Sequence, residues 1–301
     1  MTIRLDMRRA VTKAAEVLGD SVEAVREFLG RHLCEDGGFR GRDGKSDLYY
    51  TVFGLEASLA LNAHVPYERV AEYLHRFGAG QSLDLVHLAS LVRCRVNLTD
   101  IARDAFDSGA RRALIARLME FRASDGGFSV SAGAERGHVY GSFLALGVCQ
   151  DLLVDDLDPA GVLDSVRSLQ KPDGGFSNEP TMTVSATAAT AAAITIFHYL
   201  EAPLPTSALQ WLAGRAEPYG GFSAIPSGPD MAIPDLLSTA TALHALTLAG
   251  VDLDEIRERN LDYLDGLWDV QGGFHGHPAD DVLDCEYTYY GLLSLGDLVG
   301  S

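Results

Sequence analysis

"GGFRGRDGKSDLYYTVFGLEASLAL" runs from Gly37 to Leu61. It opens on a Gly–Gly–Phe turn, passes through a small basic cluster and becomes apolar at helical spacing. The opening recurs. "DGGF" stands at Asp36–Phe39, Asp125–Phe128 and Asp173–Phe176, with "YGGF" at Tyr219–Phe222 and "QGGF" at Gln271–Phe274. A worn copy, "FGAGQSLDLVHL", fills the gap from Phe77 to Leu88. Successive copies start about 40 to 52 residues apart, the period of stacked supersecondary units. In each unit an amphipathic helix ends at the Gly–Gly turn, where glycine supplies positive-φ C-cap geometry. A loop of variable length follows, then a second helix that is apolar on most faces, as in "DLLSTATALHALTLAG" (Asp235–Gly250).

A helix that is apolar all round is buried. Six such units predict an all-α fold: helix pairs closed into one ring, apolar helices inside, around a central apolar cavity. The expected domain is a single unit, 1–301. Repetition overrides the two-domain expectation that 301 residues would otherwise allow.

Composition narrows the partners. A formal net charge of -18 argues against nucleic acid and anionic membrane surfaces. No run reaches the roughly 18 apolar residues of a membrane span. The N-terminal "MTIRLDMRRAVTKAAEVLGD" lacks the unbroken apolar core of a secretory signal and reads as an amphipathic helix. Cys34, Cys94, Cys149 and Cys285 are far apart and form no CxxC pair, which reads as reduced thiols and a cytoplasmic location.

The Ala/Leu pattern places the starts of the inner helices at Asp47, Asp84, Glu135, Thr183, Asp235 and Asp284. Two residues on stand Tyr49, Val86, Gly137, Ser185, Leu237 and Glu286; three on stand Tyr50, His87, His138, Ala186, Ser238 and Tyr287. The ordinary role of the first set is N-capping, worth about 1 kcal/mol each. In a ring these N-termini share one mouth, and their free N–H groups and dipoles favour an anion there. Arg40, Arg42 and Lys45 would offset the acidic field at that mouth. As loop residues they would contribute little to the core. Phe53, Tyr140, Phe143, Tyr289 and Tyr290 fall on or near inner-facing turns, where aromatic faces either stabilise a cation or simply pack. The small residues of Val184–Phe197 would either widen the cavity or permit close helix packing.

The repeated GGF turn resembles that of protein prenyltransferase β subunits and squalene-cyclase-type terpene cyclases, the α/α toroid superfamily. The resemblance covers nearly the whole chain. It implies an enzyme that holds an isoprenoid, as a diphosphate, in the cavity and cyclises or transfers it. A non-catalytic binding or scaffold ring is one alternative, and a prenyltransferase β subunit needing a helical α partner is another, although nothing in this chain indicates that partner. A diphosphate substrate would bring Mg²⁺. In protein prenyltransferases an Asp, a Cys two residues on and a His in the next inner helix bind zinc. Here Asp47 and His87 match, but Tyr49 stands at the Cys position; Asp235 matches in the family's usual linear order, but Leu237 and Tyr287 replace the Cys and His. Zinc is therefore not expected. "DCEYT" (Asp284–Thr288) is a partial match to the acid motif of class II cyclases, and "DDVLD" (Asp280–Asp284) has the form of an acidic diphosphate motif. The implied catalytic candidates are Asp47, Tyr50, Asp284 and Glu286. The implied substrate-binding residues are Arg40, Arg42, Lys45, Tyr49, Phe53, His87, His138 and Tyr287.

Overall fold

The computed structural model describes residues 1–102, 107–226 and 233–300. A helix α1 (Ile3–Leu18) precedes six pairs, outer then inner: α2 (Val22–His32) and α3 (Leu48–Ala60), α4 (Tyr67–His75) and α5 (Leu85–Ala102), α6 (Ser108–Met119) and α7 (Val139–Asp151), α8 (Pro159–Arg167) and α9 (Thr187–Tyr199), α10 (Thr206–Ala213) and α11 (Leu236–Leu248), α12 (Asp254–Asp265) and α13 (Cys285–Gly300). Each inner helix packs on the next, and α13 packs back on α3, so the expected ring closes. Two short antiparallel ribbons lie in the loops: β1 (Phe39–Arg40) with β2 (Ser46–Asp47), and β3 (Phe222–Ser223) with β4 (Pro234–Asp235).

The GGF turn is fixed in three ways, the last of which joins neighbouring units. Its phenylalanine is buried in all five copies. The backbone N–H of that phenylalanine donates to a hydroxyl of the following inner helix: Phe39 to Thr51, Phe128 to Ser142, Phe176 to Thr190, Phe222 to Thr239 and Phe274 to Thr288. The first glycine lies against the backbone of the next outer helix. Gly37, with φ +95°, would place a Cβ 2.2 Å from the Arg69 carbonyl oxygen on α4. Gly272, with φ +92°, would place one 2.0 Å from that of Ala24 on α2, joining last unit to first. Gly272→Ala is therefore expected to cost about 3 kcal/mol, combining left-handed backbone strain with displacement of α2. Urea unfolding measures it, and a loss below 1 kcal/mol would contradict this account of ring closure.

α1 belongs to no pair. It lies along α13, where a Cβ on Gly296 would stand 1.7 Å from the Ala10 carbonyl oxygen. Its polar face reaches the C-terminal halves of four inner helices. Arg4 donates to Asp151 on α7 at 2.9 Å and to Asn97 on α5 at 2.8 Å. Arg8 pairs with Glu56 on α3 at 3.3 Å, and the Tyr199 hydroxyl of α9 donates to Asp6 at 2.6 Å. The mouth at the C-terminal ends of the inner helices is thus crossed by α1, and the opposite mouth carries the helix N-termini. Two arginines facing helix C-termini also suit the dipoles there.

Candidate functional site

The hydroxyl that receives each Phe N–H fixes the register of the inner helices, because it stands four residues past the N-cap. Thr51 follows Asp47, Ser142 follows His138, Thr190 follows Ala186, Thr239 follows Asp235 and Thr288 follows Asp284. Two sequence-based starts are corrected by this. Glu135 and Thr183 are exposed loop residues, and α7 and α9 are capped three residues later by His138 and Ala186. The Ala/Leu pattern could not detect the offset, because both helices are apolar in either register. His138 is therefore a cap: its Nδ1 accepts from the Gly141 N–H at 3.3 Å. Burial lowers its pKa, opposed by Glu179.

In the corrected register, position cap+2 carries Tyr49, Val86, Tyr140 and Glu286. The first three line a cavity of about 90 Å³ between α3, α5, α7 and α13, with α1 contributing Met7. About one turn deeper lie Phe53, Phe143, Tyr289 and Tyr290. Phe53 has ring centroids of Tyr49, Tyr290 and Tyr289 at 5.0, 5.4 and 5.5 Å. At cap+9 stand Glu56, Arg93 and Gly147, with Asp151 one turn beyond. Seven residues separate the Tyr49 and Glu56 levels, about 10 Å along a helix.

The floor departs from the expected apolar cavity, because Glu56, Arg93 and Asp151 are charged. It is wired to α1 through Arg4, Arg8 and Asn97. Sequence reasoning missed these residues. The available signal was a charge in the C-terminal half of each of these inner helices, with Glu56 and Arg93 at one helical level. The Ala-rich α9 lines none of the cavity; its small side chains serve packing against α7 and α11.

At the mouth, the Tyr49 hydroxyl donates to Glu286 Oε1 at 2.5 Å. Burial pushes the Glu286 carboxyl up to about 7, with Asp284 adding to the shift and the Tyr49 bond opposing it. Burial holds the Tyr49 hydroxyl far above its ordinary value. Burial also raises Tyr140 to about 12, helped by Glu286.

The basic stretch meets the acidic loop of the last unit. Arg42 Nε donates to Asp284 and Nη2 to Asp280, both at 2.8 Å, and the guanidinium lies 5.3 Å from the Tyr287 ring centroid. The "GRDGK" and "DDVLD" stretches are therefore each other's partners across the ring seam. Arg40 is exposed and donates to the Arg31 carbonyl, and Lys45 is exposed. Tyr50 is partly exposed beside Gly41, and burial raises its hydroxyl to about 12. Asp47 and Asp284 cap α3 and α13, accepting N–H bonds from the first turn. His87 pairs with Asp84 at 2.8 Å on a separate part of the rim.

A family model, the prenyltransferase alpha-alpha toroid domain, matches residues 11–223 and 204–298. The chain belongs to that family. No curated protein matches it. Among solved structures, this toroid is similar to a Candida albicans protein geranylgeranyltransferase-I complexed with GGPP. That match has 17% identity and TM-score 0.67, covering 91% of this chain and 90% of that one. It is also similar to the type II terpene cyclase MstE from Scytonema, at 14% identity and TM-score 0.63, over 96% and 98% of the two chains. The GH76A alpha-1,6-mannanase from Salegentibacter sp. HEL1_6 shares the shape at 11% identity and TM-score 0.63, over 93% and 98%. At these identities the likeness concerns the fold alone, and a toroid that includes a mannanase does not dictate chemistry.

A zinc centre does not fit the toroid's donors. Tyr49 and Leu237 stand where a thiolate would be needed. No cluster of three His, Cys, Asp or Glu side chains among the described residues is placed to hold a metal. No helix among those residues is long and apolar enough to cross a membrane.

Proposed function

We propose that the protein cyclises or isomerises a short isoprenoid by protonating an alkene, with Glu286 as the proton source and Tyr49 as its relay into the cavity. The observation that carries this reading is the Tyr49–Glu286 pair: a buried carboxyl, half protonated near neutrality, bonded to a hydroxyl at the top of an aromatic-lined cavity. Similar folds support the substrate class, one complexed with GGPP and MstE complexed with geranylgeranyl dihydroxybenzoate.

The step balances without a cofactor. Once protonated, Glu286 becomes the donor of the pair: it gives its proton to the Tyr49 oxygen while the Tyr49 hydroxyl proton, turned from the carboxyl into the cavity, passes to a terminal alkene carbon. The alkene π pair forms the new C–H bond and leaves a tertiary cation beside Phe53, Tyr140 and Tyr290, whose faces favour positive charge. A second alkene attacks the cation and closes a ring. Loss of one proton to water gives an isomer of the substrate and restores the charge balance.

A diphosphate is not required by this chemistry, and Arg42 is already committed to two carboxylates. The protein prenyltransferase reading, with its α partner, loses support with the missing thiolate. A non-catalytic binding ring draws on one observation, the small cavity volume; it predicts ligand binding without turnover. The buried cysteines suit a reducing compartment such as the cytoplasm. We read residues 1–301 as one domain, which calorimetry would show as a single transition; two separate transitions would contradict it.

Turnover should follow the acid form of Glu286. That form predominates below about pH 7 and is lost as pH rises through it, so the rate is expected to decline above neutrality. A rate unchanged from pH 5 to 9 would remove Glu286 from the chemistry.

A further inference from the structure

We infer that the cavity floor is a carboxylate-binding site built on Arg93, so that the isoprenoid enters with an acid group foremost and keeps an alkene at the Glu286 mouth. The inference rests on the isoprenoid reading above and names the substrate class within it.

Arg93 projects from α5 into the cavity at the level of Glu56. Its side chain retains 20% of its surface although it lies deep in the ring, and the cavity is what that surface faces. Its ion pair is a long one, Nε to Asp151 Oδ2 at 3.6 Å, beyond hydrogen-bond range. The carboxylates around it are satisfied by other groups. Asp151 Oδ1 accepts from Arg4 at 2.9 Å. Glu56 accepts from Asn97 at 2.6 Å and from Arg8 at 3.3 Å. Among the described residues, no hydrogen bond reaches the two terminal nitrogens of Arg93. A guanidinium carries five donors in a rigid fork, and leaving them unfilled away from bulk water is costly.

The neighbouring inner helix makes room for the fork itself, which lies at the cavity lining. α7 presents glycine at the matching level, and a Cβ on Gly147 would stand 3.2 Å from Arg93 Nη2. A planar carboxylate is the ligand group that fills such a fork with two parallel bonds. The aromatic walls between floor and mouth accept the apolar remainder. The mouth at the other end of the cavity is where Tyr49 and Glu286 act, about 10 Å away by the rise of α3.

The test is calorimetric titration with farnesoic acid and with its methyl ester, which match in skeleton and differ in charge. The wild-type protein is expected to bind the acid at least tenfold more tightly. Arg93→Met should bind acid and ester alike, with ester affinity within twofold of wild type. Arg93→Lys retains the charge and the Asp151 pairing while giving up the fork, and should lose most of the preference; it also serves should Arg93→Met fail to fold. Lys45→Ala, at the rim, should keep the full preference. Equal binding of acid and ester by wild type, or a preference abolished by Lys45→Ala and kept by Arg93→Met, overturns the inference and leaves the isoprenoid reading intact. Binding of neither compound overturns the isoprenoid reading itself, and the inference with it.

Discussion

Glu286→Gln is expected to lower turnover of an isoprenoid alkene by at least 100-fold while leaving ligand affinity within a few-fold of wild type. A positioned general acid contributes about 10²–10⁴ in rate, and glutamine keeps the size and hydrogen bonding of the group without its acidic proton. Tyr49 can still donate to the glutamine oxygen, so the pair at the mouth persists. The same change should abolish the decline in rate above about pH 7, because the group responsible is gone. Tyr49→Phe should give a comparable loss, since Glu286 reaches the cavity through that hydroxyl. A Glu286→Gln protein with more than a tenth of wild-type turnover would remove the proposed proton source.

Arg42→Ala should destabilise the protein by about 3 kcal/mol, although its arginine belongs to a loop. Removing the partner of a buried charge strands it, with losses of about 3–5 kcal/mol when both partners are buried; Arg42 keeps 39% of its side chain exposed, so water replaces part of what it supplies. Asp284 is the stranded group, with 3% of its side chain exposed. The bond it accepts from the Tyr287 N–H holds the expected loss at the lower end. The sequence reading assigned a loop arginine little structural weight, because nothing local shows that its partners lie 238 and 242 residues away. Arg112→Ala, on the outer helix α6, supplies the comparison and should change little. Chemical denaturation separates the two; equal, small losses would mean that the seam between first and last units is held by packing alone.

The repeat makes the ring legible in the sequence. Glycine at a positive-φ position and a buried phenylalanine are local demands, and five copies at one period leave few arrangements that satisfy them all. The aromatic cavity wall was legible in the same way, from apolar helices that had to face inward. The register of α7 and α9 was not. Its marker is a Ser or Thr four residues past each cap, a hydroxyl whose partner is a backbone N–H 12 to 17 residues earlier, and that relation is visible only once the turn is folded. The worn second unit carries Leu88 at the marker position, which hides the rule further. The pairing of Arg42 with the acidic loop and the crossing of the far mouth by α1 were illegible for another reason. Both are contacts between residues far apart in the chain, and neither leaves a pattern in the residues around it. The charged floor lay between these cases: Glu56 and Arg93 were conspicuous in apolar helices, but only a common register puts them at one level.

The central claim, proton-initiated chemistry from Glu286, is tested most directly by turnover in D₂O. Farnesol, farnesoic acid and farnesyl diphosphate would each be incubated with the purified protein, and the products analysed by gas chromatography with mass spectrometry. The account predicts cyclised isomers from the substrates lacking a diphosphate, each carrying one non-exchangeable deuterium on carbon, and their disappearance with Glu286→Gln. Turnover confined to the diphosphate, with release of pyrophosphate and no deuterium on carbon, would contradict it, as would the absence of turnover from all three.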